Sequence, residues 1–508
     1  MTAAGKAVTG LSTQQRQAVA DLSVAELSEA LHPTFESDSG TLLTTGLAAS
    51  PGAASGLVAV GSTAALDLAS QDRAVILVVT ETTPADVAAM GLSVGILTAR
   101  GGLASHAAVV ARGWGIPAVC DARDITVEAG SFAVGDRRIT NGTPISIDGS
   151  TGEVVLGDRE VKPVRPQEAL PPDVDEILRW ADAVIAGRVA VLANADTAVD
   201  AGVARKLGAL GIGLCRTEHM FLEPGRLDIV QRVILDGGDA HIDELAASQR
   251  ADFVDLLAAM DGLPVTVRLL DAPMHEFLAG ADPHTAAEWH EHNPMLGVRG
   301  VRLGLLRPEL YDAQVRALAG AVADRRAAGG DPHVEIMVPL VSTAGELVAA
   351  VRALRSTWEG ELVGPVPPIG TMIETPRACL IAGQLAPEVK FVSFGTNDLT
   401  QLTFGFSRDD TATRVIAPYL SDGLLEADPF ASLDRPGVGE LLVGALQRGR
   451  AANPRLRAGI CGEHGGDPDS IGFAVQAGLD YVSCSPYRVP IARLACAQAV
   501  LGIADPGR

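Results

Sequence analysis

The sequence predicts an α/β protein in which a small β-rich domain precedes a C-terminal (β/α)8 TIM barrel. Two observations indicate the barrel. From about residue 182 onward, short apolar runs alternate with long helical patterns, and the number of apolar runs is eight. Strands that alternate with helices form parallel sheets, and eight such strands close a barrel. The predicted barrel strands are 189–194, 211–215, 265–270, 334–339, 369–373, 391–395, 458–462 and 481–485.

The smaller domain is predicted at 46–157, where short β-like runs are separated by Gly, Pro and Asp. Those runs are 57–61, 74–79, 94–99, 118–120 and 145–148. Residues 1–45 read as a short N-terminal leader with one helical pattern at 13–31. Four prolines and many charges predict a semi-rigid linker at 158–181, so that the barrel domain occupies 182–508.

Composition excludes several classes of function. The formal net charge is −22, which argues against nucleic-acid partners and against anionic membrane surfaces. It leaves anionic small substrates open, because a pocket can be locally basic. The six cysteines form no C-x-x-C pair, and no apolar run reaches the length of a membrane span. These features predict a cytoplasmic location.

The predicted strand ends carry the chemistry, because a barrel builds its active site at the C-terminal ends of its strands. Three arginines, two carboxylates and one amide gather there: Arg216, Arg268, Arg299, Glu374, Asp398 and Asn397. Arginine forks match phosphate oxygens, and two carboxylates are a usual protein contribution to a Mg2+ site. The set therefore predicts a small phosphorylated substrate bridged by a metal ion.

Two further residues each allow two interpretations of their role. Cys461 at the end of the seventh strand is either an inert buried thiol or a proton donor. His106 opens an apolar helical run after Gly101 and Gly102, and it is either a capping or core histidine or a carrier of a transferable phosphate. A helix N-terminus suits a phosphate because its free N–H groups and its dipole favour negative charge.

Long strings of this sequence resemble the phosphoenolpyruvate (PEP)-utilising enzymes, and among them most closely the pyruvate phosphate dikinases. The strings that carry the resemblance are HPTF (32–35), ASPGAASG (49–56), SHAAVVARGWGIPAV (105–119), GLCRTEHMF (213–221), NPMLGVRG (293–300), SFGTNDLTQLTFGFSRDD (393–410), GICGEHGGDP (459–468) and GLDYVSCSPYRVPIARLA (478–495). The resemblance implies that 46–157 is a swivelling phosphohistidine domain and that 182–508 binds PEP or pyruvate.

The resemblance also implies a role for each matching residue. His106 matches the histidine that is phosphorylated, and Cys461 matches the acid that protonates the enolate carbon. Glu374 and Asp398 match the ligands of Mg2+, the implied cofactor. The implied substrate-binding residues are Arg216, Arg268, Arg299, Glu374, Gly395, Thr396, Asn397, Asp398 and Arg408.

The sequence also departs from the dikinase pattern. Residues 1–45 are too short for the ATP-grasp domain that loads the histidine, and no Gly-rich nucleotide loop precedes the histidine domain. Ala104 stands where the motif usually has Thr. We therefore expect a separate ATP-grasp protein to be the phosphoryl donor, and the resemblance implies a homodimer.

Three hypotheses follow for the function. The first is the PEP/pyruvate half of a split dikinase, and the second is a PEP-protein phosphotransferase that passes the group to a protein acceptor. The third is a PEP-sensing regulatory protein. The dikinase-like strings favour the first, and the presence of Cys461 disfavours the third because a sensor has no need of an acid for the enolate.

Overall fold

The structure is a computed structural model that describes residues 10–37, 40–83, 86–102, 105–162, 170–221, 226–236, 239–273, 277 and 291–502. A few side chains within those ranges, including that of His106, are outside the description. The chain forms two compact units. The first comprises 1–185, 405–432 and 493–508, and the second comprises 186–404 and 433–492.

The first unit is built on an eight-stranded sheet with strand order β2-β12-β11-β4-β5-β6-β7-β3. Its central strand β5 reads VILVV and is buried at every position, as expected for a strand with parallel neighbours and both faces covered. The strands of this unit are β1 (Thr34–Phe35), β2 (Thr41–Thr45), β3 (Leu47–Ser50), β4 (Ala53–Val60), β5 (Val75–Val79), β6 (Gly95–Thr98), β7 (Ala118–Cys120), β8 (Ile125–Glu128), β9 (Ser131–Val134), β10 (Arg137–Thr140), β11 (Pro144–Asp148), β12 (Glu153–Leu156) and β13 (Val161–Lys162).

Two smaller sheets and several helices complete the first unit. Strands β8, β9 and β10 form an antiparallel sheet, and β1 pairs with β13. The helices are Thr13–Asp21, Val24–Leu31, Ser62–Ala69, Val87–Leu92, His106–Trp114, Pro172–Ile185, Arg408–Thr411 and Ala417–Ser421, with a π-helical turn at Ala412–Ile416. The helix Val489–Val500 begins in the second unit and continues into the first.

The structure differs from the sequence prediction in two places of the first unit. The single helical pattern predicted at 13–31 is two helices, because Ser23 starts a new one with a capping box to Glu26. The predicted linker 158–181 contains strand β13 and the first turns of the helix Pro172–Ile185. The domain boundaries given above remain a prediction.

The second unit contains the predicted barrel, and this confirms the fold class. Eight parallel strands close in sequence order, and β14 pairs with β21. The strands are β14 (Ala190–Asn194), β15 (Ile212–Arg216), β16 (Pro264–Arg268), β17 (His333–Val338), β18 (Ile369–Ile373), β19 (Phe391–Phe394), β20 (Arg457–Ile460) and β21 (Tyr481–Cys484). Strands such as β18, IGTMI, are buried at every position, since side chains fill the barrel inside and helices cover it outside.

The helices of the barrel begin soon after the strands end. Thr343 starts one with a capping box to Glu346, and Thr375 caps another that has Pro376 at its first position. The helices are Ala198–Lys206, Thr217–Phe221, Leu227–Asp236, Asp239–Ala259, Gly300–Leu306, Pro308–Ala327, Ala344–Gly360, Pro376–Leu380, Ala382–Leu385, Thr396–Phe404, Glu440–Ala452 and Pro468–Ala477. Short 3-10 or π turns lie at Pro294–Leu296, Ala386–Glu388, Arg435–Gly439, Glu463–Gly466 and Pro486–Arg488. Among the residues described, no helix combines the length and the apolar character needed to cross a membrane.

Candidate active site

Two buried arginines form the centre of the site at the C-terminal ends of the barrel strands. Arg268 ends β16, and Arg299 caps the helix Gly300–Leu306. Nη1 of Arg268 lies 3.1 Å from Oδ2 of Asp271, and its Nη2 forms an ion pair with Glu218. Arg299 donates from Nε and Nη2 to the two oxygens of Asp271, at 2.9 Å each. Carboxylates therefore hold both guanidinium groups: Arg299 pairs with Asp271 in the bidentate geometry that favours Arg, and Arg268 bridges Asp271 and Glu218.

Three carboxylates surround a single point beside these arginines. Asp271, Glu374 and Asp398 each offer one oxygen, and those oxygens all lie within 4.8 Å of one another. Nη2 of Arg299 also donates to Oδ2 of Asp398 at 2.8 Å. Because Glu218 is buried in the same group, four carboxylates face two guanidinium groups. When all of them are ionised, the cluster carries an excess of two negative charges.

The excess charge shows in the pKa values of the acids. Burial raises the pKa of Glu374 well above its ordinary value, and the neighbouring Asp271 and Asp398 raise it further. Burial also raises the pKa of Asp271. Burial acts in the same direction on Asp398, but Arg299, Arg268 and a hydrogen bond with Glu374 together outweigh it, and the pKa of Asp398 is lowered. Three convergent carboxylate oxygens with two uncompensated charges fit a hard divalent cation, which would take the place of the Glu374 proton.

Two glycines allow the strand-end loops to pack this closely. A Cβ atom on Gly395 would come within 2.8 Å of Oε2 of Glu374, and one on Gly462 would lie 2.1 Å from Oγ1 of Thr396. The two loops are also joined by a hydrogen bond, since the backbone N–H of Glu463 donates to Oδ1 of Asn397 at 3.0 Å. Both glycines are buried, and the lack of a side chain at each lets the two loops come together.

Cys461 lies directly after β20, and its side chain is buried. Burial raises the pKa of the thiol to about 11, so the thiol keeps its proton throughout the neutral range. Two consecutive hydrogen bonds hold the backbone of Cys461 in place. Oγ of Ser483 donates to Oδ1 of Asn194 at 2.6 Å, and Nδ2 of Asn194 donates to the carbonyl of Cys461 at 3.0 Å. A protonated and positioned thiol suits a proton donor rather than a nucleophile.

Arg216 is held more loosely than the other two predicted arginines. It ends β15, and its backbone N–H donates to Oδ1 of Asp196 at 2.6 Å. Its Nη1 lies 3.7 Å from Oδ2 of Asp196, which is bound more tightly by Nδ1 of His219 at 2.7 Å. The guanidinium of Arg216 is therefore better placed than those of Arg268 and Arg299 to exchange its partner for an anion.

The first unit contains the predicted phosphohistidine segment. The helix His106–Trp114 begins at His106, is capped by Oγ of Ser105, and ends at Gly115 in the left-handed conformation. The side chain of His106 and the whole of Ala104 lie outside the described residues. Arg408 begins a short helix of the same unit. The roles of His106 and Arg408 therefore remain predictions.

Sequence reasoning left two members of the cluster without a role. Neither Asp271, which contacts both arginines, nor Glu218, which pairs with Arg268, is among the site residues that the sequence predicts. A signal existed for each: Asp271 follows the third predicted strand, and Glu218 stands two residues after Arg216. Carboxylates beside arginines at strand ends are candidates for holding those arginines.

Comparison with known proteins agrees with this chemistry. A family model described as "PEP-utilising enzyme, PEP-binding domain" matches residues 174–501, and one described as "PEP-utilising enzyme, mobile domain" matches 71–152. Pyruvate, phosphate dikinase 1 (chloroplastic) of Arabidopsis thaliana is 49% identical, over 94% of this chain and 52% of that protein. The chloroplastic pyruvate, phosphate dikinase of Flaveria pringlei is 47% identical, over 96% of this chain and 54% of that protein.

The chain thus spans about half the length of the curated relatives that it matches. Among solved structures, a citrate lyase from Burkholderia xenovorans LB400 is 17% identical with a TM-score of 0.30, over 51% of this chain and 64% of that one, a likeness too low to support an argument. The family match covers more than half of the chain and coincides with the barrel and its charged cluster. The chain belongs to the family of PEP-utilising enzymes.

Proposed function

We propose that this chain transfers a phosphoryl group between His106 and the pyruvate/PEP pair in a Mg2+-dependent reaction, as a pyruvate phosphate dikinase-like phosphotransferase. The observation that carries the proposal is the buried cluster at the barrel strand ends, where oxygens of Asp271, Glu374 and Asp398 converge beside two arginines. Two relatives also support the proposal, because both are named pyruvate, phosphate dikinase. Each of them is about twice as long as this chain.

Glu374 and Asp398 would hold the magnesium ion. Both oxygens of Asp271 are engaged by arginines, so that carboxylate is better suited to orient Arg299 than to bind a metal. The backbone N–H of Leu340 donates to Oε1 of Glu374 at 2.6 Å. This hydrogen bond orients the carboxylate and leaves Oε2 to bind the metal ion. When bound, Mg2+ supplies positive charge to the oxygens of the moving phosphoryl group and of the enolate.

The residues of the chain itself carry the remaining steps. Arg216, Arg268 and Arg299 hold the phosphoryl group, so that negative charge built up during transfer meets fixed positive charge. The P–O bond to PEP breaks as a P–N bond to His106 forms, and the enolate of pyruvate is the leaving group. The Cys461 thiol then gives its proton to the methylene carbon of the enolate, which yields pyruvate and a thiolate that regains a proton from solvent.

The proposal also includes further substrate-binding residues, the phosphoryl donor, the oligomeric state and the location of the protein. Gly395, Thr396, Asn397 and Arg408 complete the substrate site, with the carboxylate of PEP at the loop that follows β19. A separate ATP-grasp protein would supply the phosphoryl group to His106, and the chain would act as a homodimer in the cytoplasm.

The proposal is tested by incubating the pure protein with PEP and Mg2+ and measuring its intact mass. We expect a gain of one acid-labile phosphoryl group, and we expect His106→Ala to abolish it because no other acceptor is proposed. His333→Ala is the matched control, since His333 is an exposed histidine that pairs with Asp331 at the start of β17. Labelling retained in His106→Ala, or absent from the folded wild type in the presence of PEP and Mg2+, would contradict the proposal.

A further inference from the structure

Arg216 differs from the other two arginines of the site in how its charge is balanced. Asp196 is its carboxylate partner, and the side chain of Asp196 is 14% exposed. The Oδ2 atom of Asp196 lies 3.7 Å from Nη1 of Arg216 but only 2.7 Å from Nδ1 of His219. The other carboxylate oxygen, Oδ1, accepts the backbone N–H of Arg216 at 2.6 Å. Asp196 therefore fixes the backbone of Arg216 through Oδ1, whereas its Oδ2 atom is closer to His219 than to the guanidinium of Arg216.

His219 stands on the helix Thr217–Phe221 that follows Arg216, one turn further along the chain. Its side chain is 51% exposed and lines a cavity of about 190 Å3 together with Asp196, Asp252 and Asp255. An imidazole that donates to Asp196 occupies the oxygen that would otherwise form a close ion pair with Arg216. The ion pair between Arg216 and Asp196 is strong only at short distance. The donor on His219 therefore controls how firmly Asp196 holds the guanidinium of Arg216 before the substrate binds.

We infer that Asp196 and His219 are positioning residues that hold Arg216 in place yet keep its guanidinium available for the phosphoryl group of the substrate. This inference rests on the proposed function and extends it, because nothing in the family resemblance assigns a role to either residue. Removal of the donor at position 219 releases Oδ2 of Asp196 to the guanidinium of Arg216. The substrate must then compete with a carboxylate for the same cation, and its binding weakens.

The inference predicts a pH dependence whose sign follows from the surrounding charges. In the part of the chain that the structure describes, the charged groups around His219 are Asp196, Asp200, Glu218, Asp252, Asp255, Arg216 and Arg226, the last paired with Asp252. Burial lowers the pKa of His219, but the Asp196 carboxylate outweighs it and the pKa is raised. As pH rises through that raised value, the imidazolium loses its charge and Asp196 attracts Arg216 more strongly. The PEP concentration needed for half-saturation should therefore rise on the alkaline side.

The experiment measures the labelling of His106 at increasing PEP concentrations, and PEP binding by calorimetry in parallel. We expect His219→Ala to raise the half-saturating PEP concentration about tenfold while the maximal rate changes by less than about threefold. His219→Gln, which keeps an N–H donor, should recover part of that loss and should lack the alkaline rise. Asp196→Asn keeps the acceptor for the Arg216 backbone but removes the competing charge, so adding it to His219→Ala should return half-saturation to within about threefold of wild type.

His333→Ala again serves as the control, because its imidazole is equally exposed and pairs with an aspartate away from the site residues. Thermal unfolding of each variant checks that the fold is kept. Unchanged half-saturation in His219→Ala, or a double variant that binds PEP no better than the single one, would overturn the inference. PEP binding without labelling of the wild type would contradict the proposed phosphoryl transfer, while calorimetry would still decide on Arg216. A wild type that neither binds PEP nor becomes labelled would overturn both.

Discussion

The two ends of the barrel differ in how their charged side chains are compensated. Toward the N-terminal ends of the strands, Arg457 of β20 pairs with Glu335 of β17, and Thr266 donates to the same carboxylate at 2.9 Å. The guanidinium of Arg457 also lies 5.0 Å from the ring centre of Phe391 and 5.5 Å from that of Tyr481. One cation meets one anion there, and the Glu335 carboxylate accepts from both Arg457 and Thr266. At the C-terminal ends, four carboxylates meet two arginines.

This difference distinguishes charged groups that stabilise the fold, such as the Arg457–Glu335 pair, from charged groups that are suited to bind a ligand, such as the cluster at the C-terminal ends. A pair of opposite charges that compensate each other is self-contained, although its net contribution to stability is modest. A cluster with two excess negative charges destabilises the folded protein unless a proton or a cation joins it. Burial raises the pKa of Glu374, and the neighbouring Asp271 and Asp398 raise it further. Substitutions at the two ends should therefore have opposite effects on activity and stability.

The largest effect is expected at Glu374. Glu374→Gln removes a ligand of the proposed magnesium site, and we expect the rate of His106 labelling to fall by about 10²–10³-fold. Glu335→Gln is the matched control at the other end of the barrel, and its rate per folded molecule should stay within about twofold of wild type. Equal losses in the two variants would show that the contrast between the two ends is wrong.

Glu374→Gln should also change how the stability of the protein depends on pH. The folded-state pKa of Glu374 lies above its ordinary value near 4.5, so its favourable contribution is complete below that value and is lost as pH rises through the raised one. Metal-free Glu374→Gln should therefore unfold at a higher temperature than wild type at pH 8, and at nearly the same temperature at pH 5. Mg2+ should stabilise wild type and leave the variant unaffected.

A smaller effect is expected at Cys461, where the thiol is the proposed proton donor. Cys461→Ala should slow the exchange of pyruvate methyl protons with D2O, followed by NMR, by about 10²-fold, the usual contribution of a general acid or base. Labelling of His106 by PEP should fall less. Cys484→Ala is the control, because Cys484 is also buried at a strand end and burial raises its pKa to about 12. Equal loss of exchange in the two variants would argue against Cys461.

The smallest effect, and one on stability alone, is expected at Arg457. Arg457→Met leaves the Glu335 carboxylate without its cation, and we expect a loss of about 2 kcal/mol in the free energy of unfolding. The loss is smaller than for a fully buried pair because the side chain of Arg457 is 39% exposed. Chemical denaturation measures it, and the labelling rate should remain unchanged. A lower rate in the folded variant would mean that the N-terminal end also serves the reaction.

The sequence was informative where the signal is local. Every barrel strand was predicted within a residue or two of its observed bounds, because buried parallel strands are short apolar runs with helical patterns between them. The strand ends then led directly to Arg268 and Glu374. The local signal was insufficient at 13–31, where Ser23 interrupts an otherwise continuous helical pattern.

Partnerships between distant residues could not be predicted in the same way. Asp271 and Asp398 are far apart in the sequence, yet both bind Arg299 in the closed barrel. The choice of Asp196 between Arg216 and His219 depends on a difference of 1.0 Å, from 2.7 to 3.7 Å, between two contacts of one oxygen. No periodicity or spacing carries information of that kind.

By itself, the sequence determined the order of strands and helices, the kinds of side chain at the strand ends, and membership of a family through long specific strings. The tertiary structure decided which of those charges meet, which remain uncompensated, and which side chains surround the thiol of Cys461. The physical reason is that secondary structure follows from neighbours along the chain, whereas the energy of a charge depends on the groups that surround it in space.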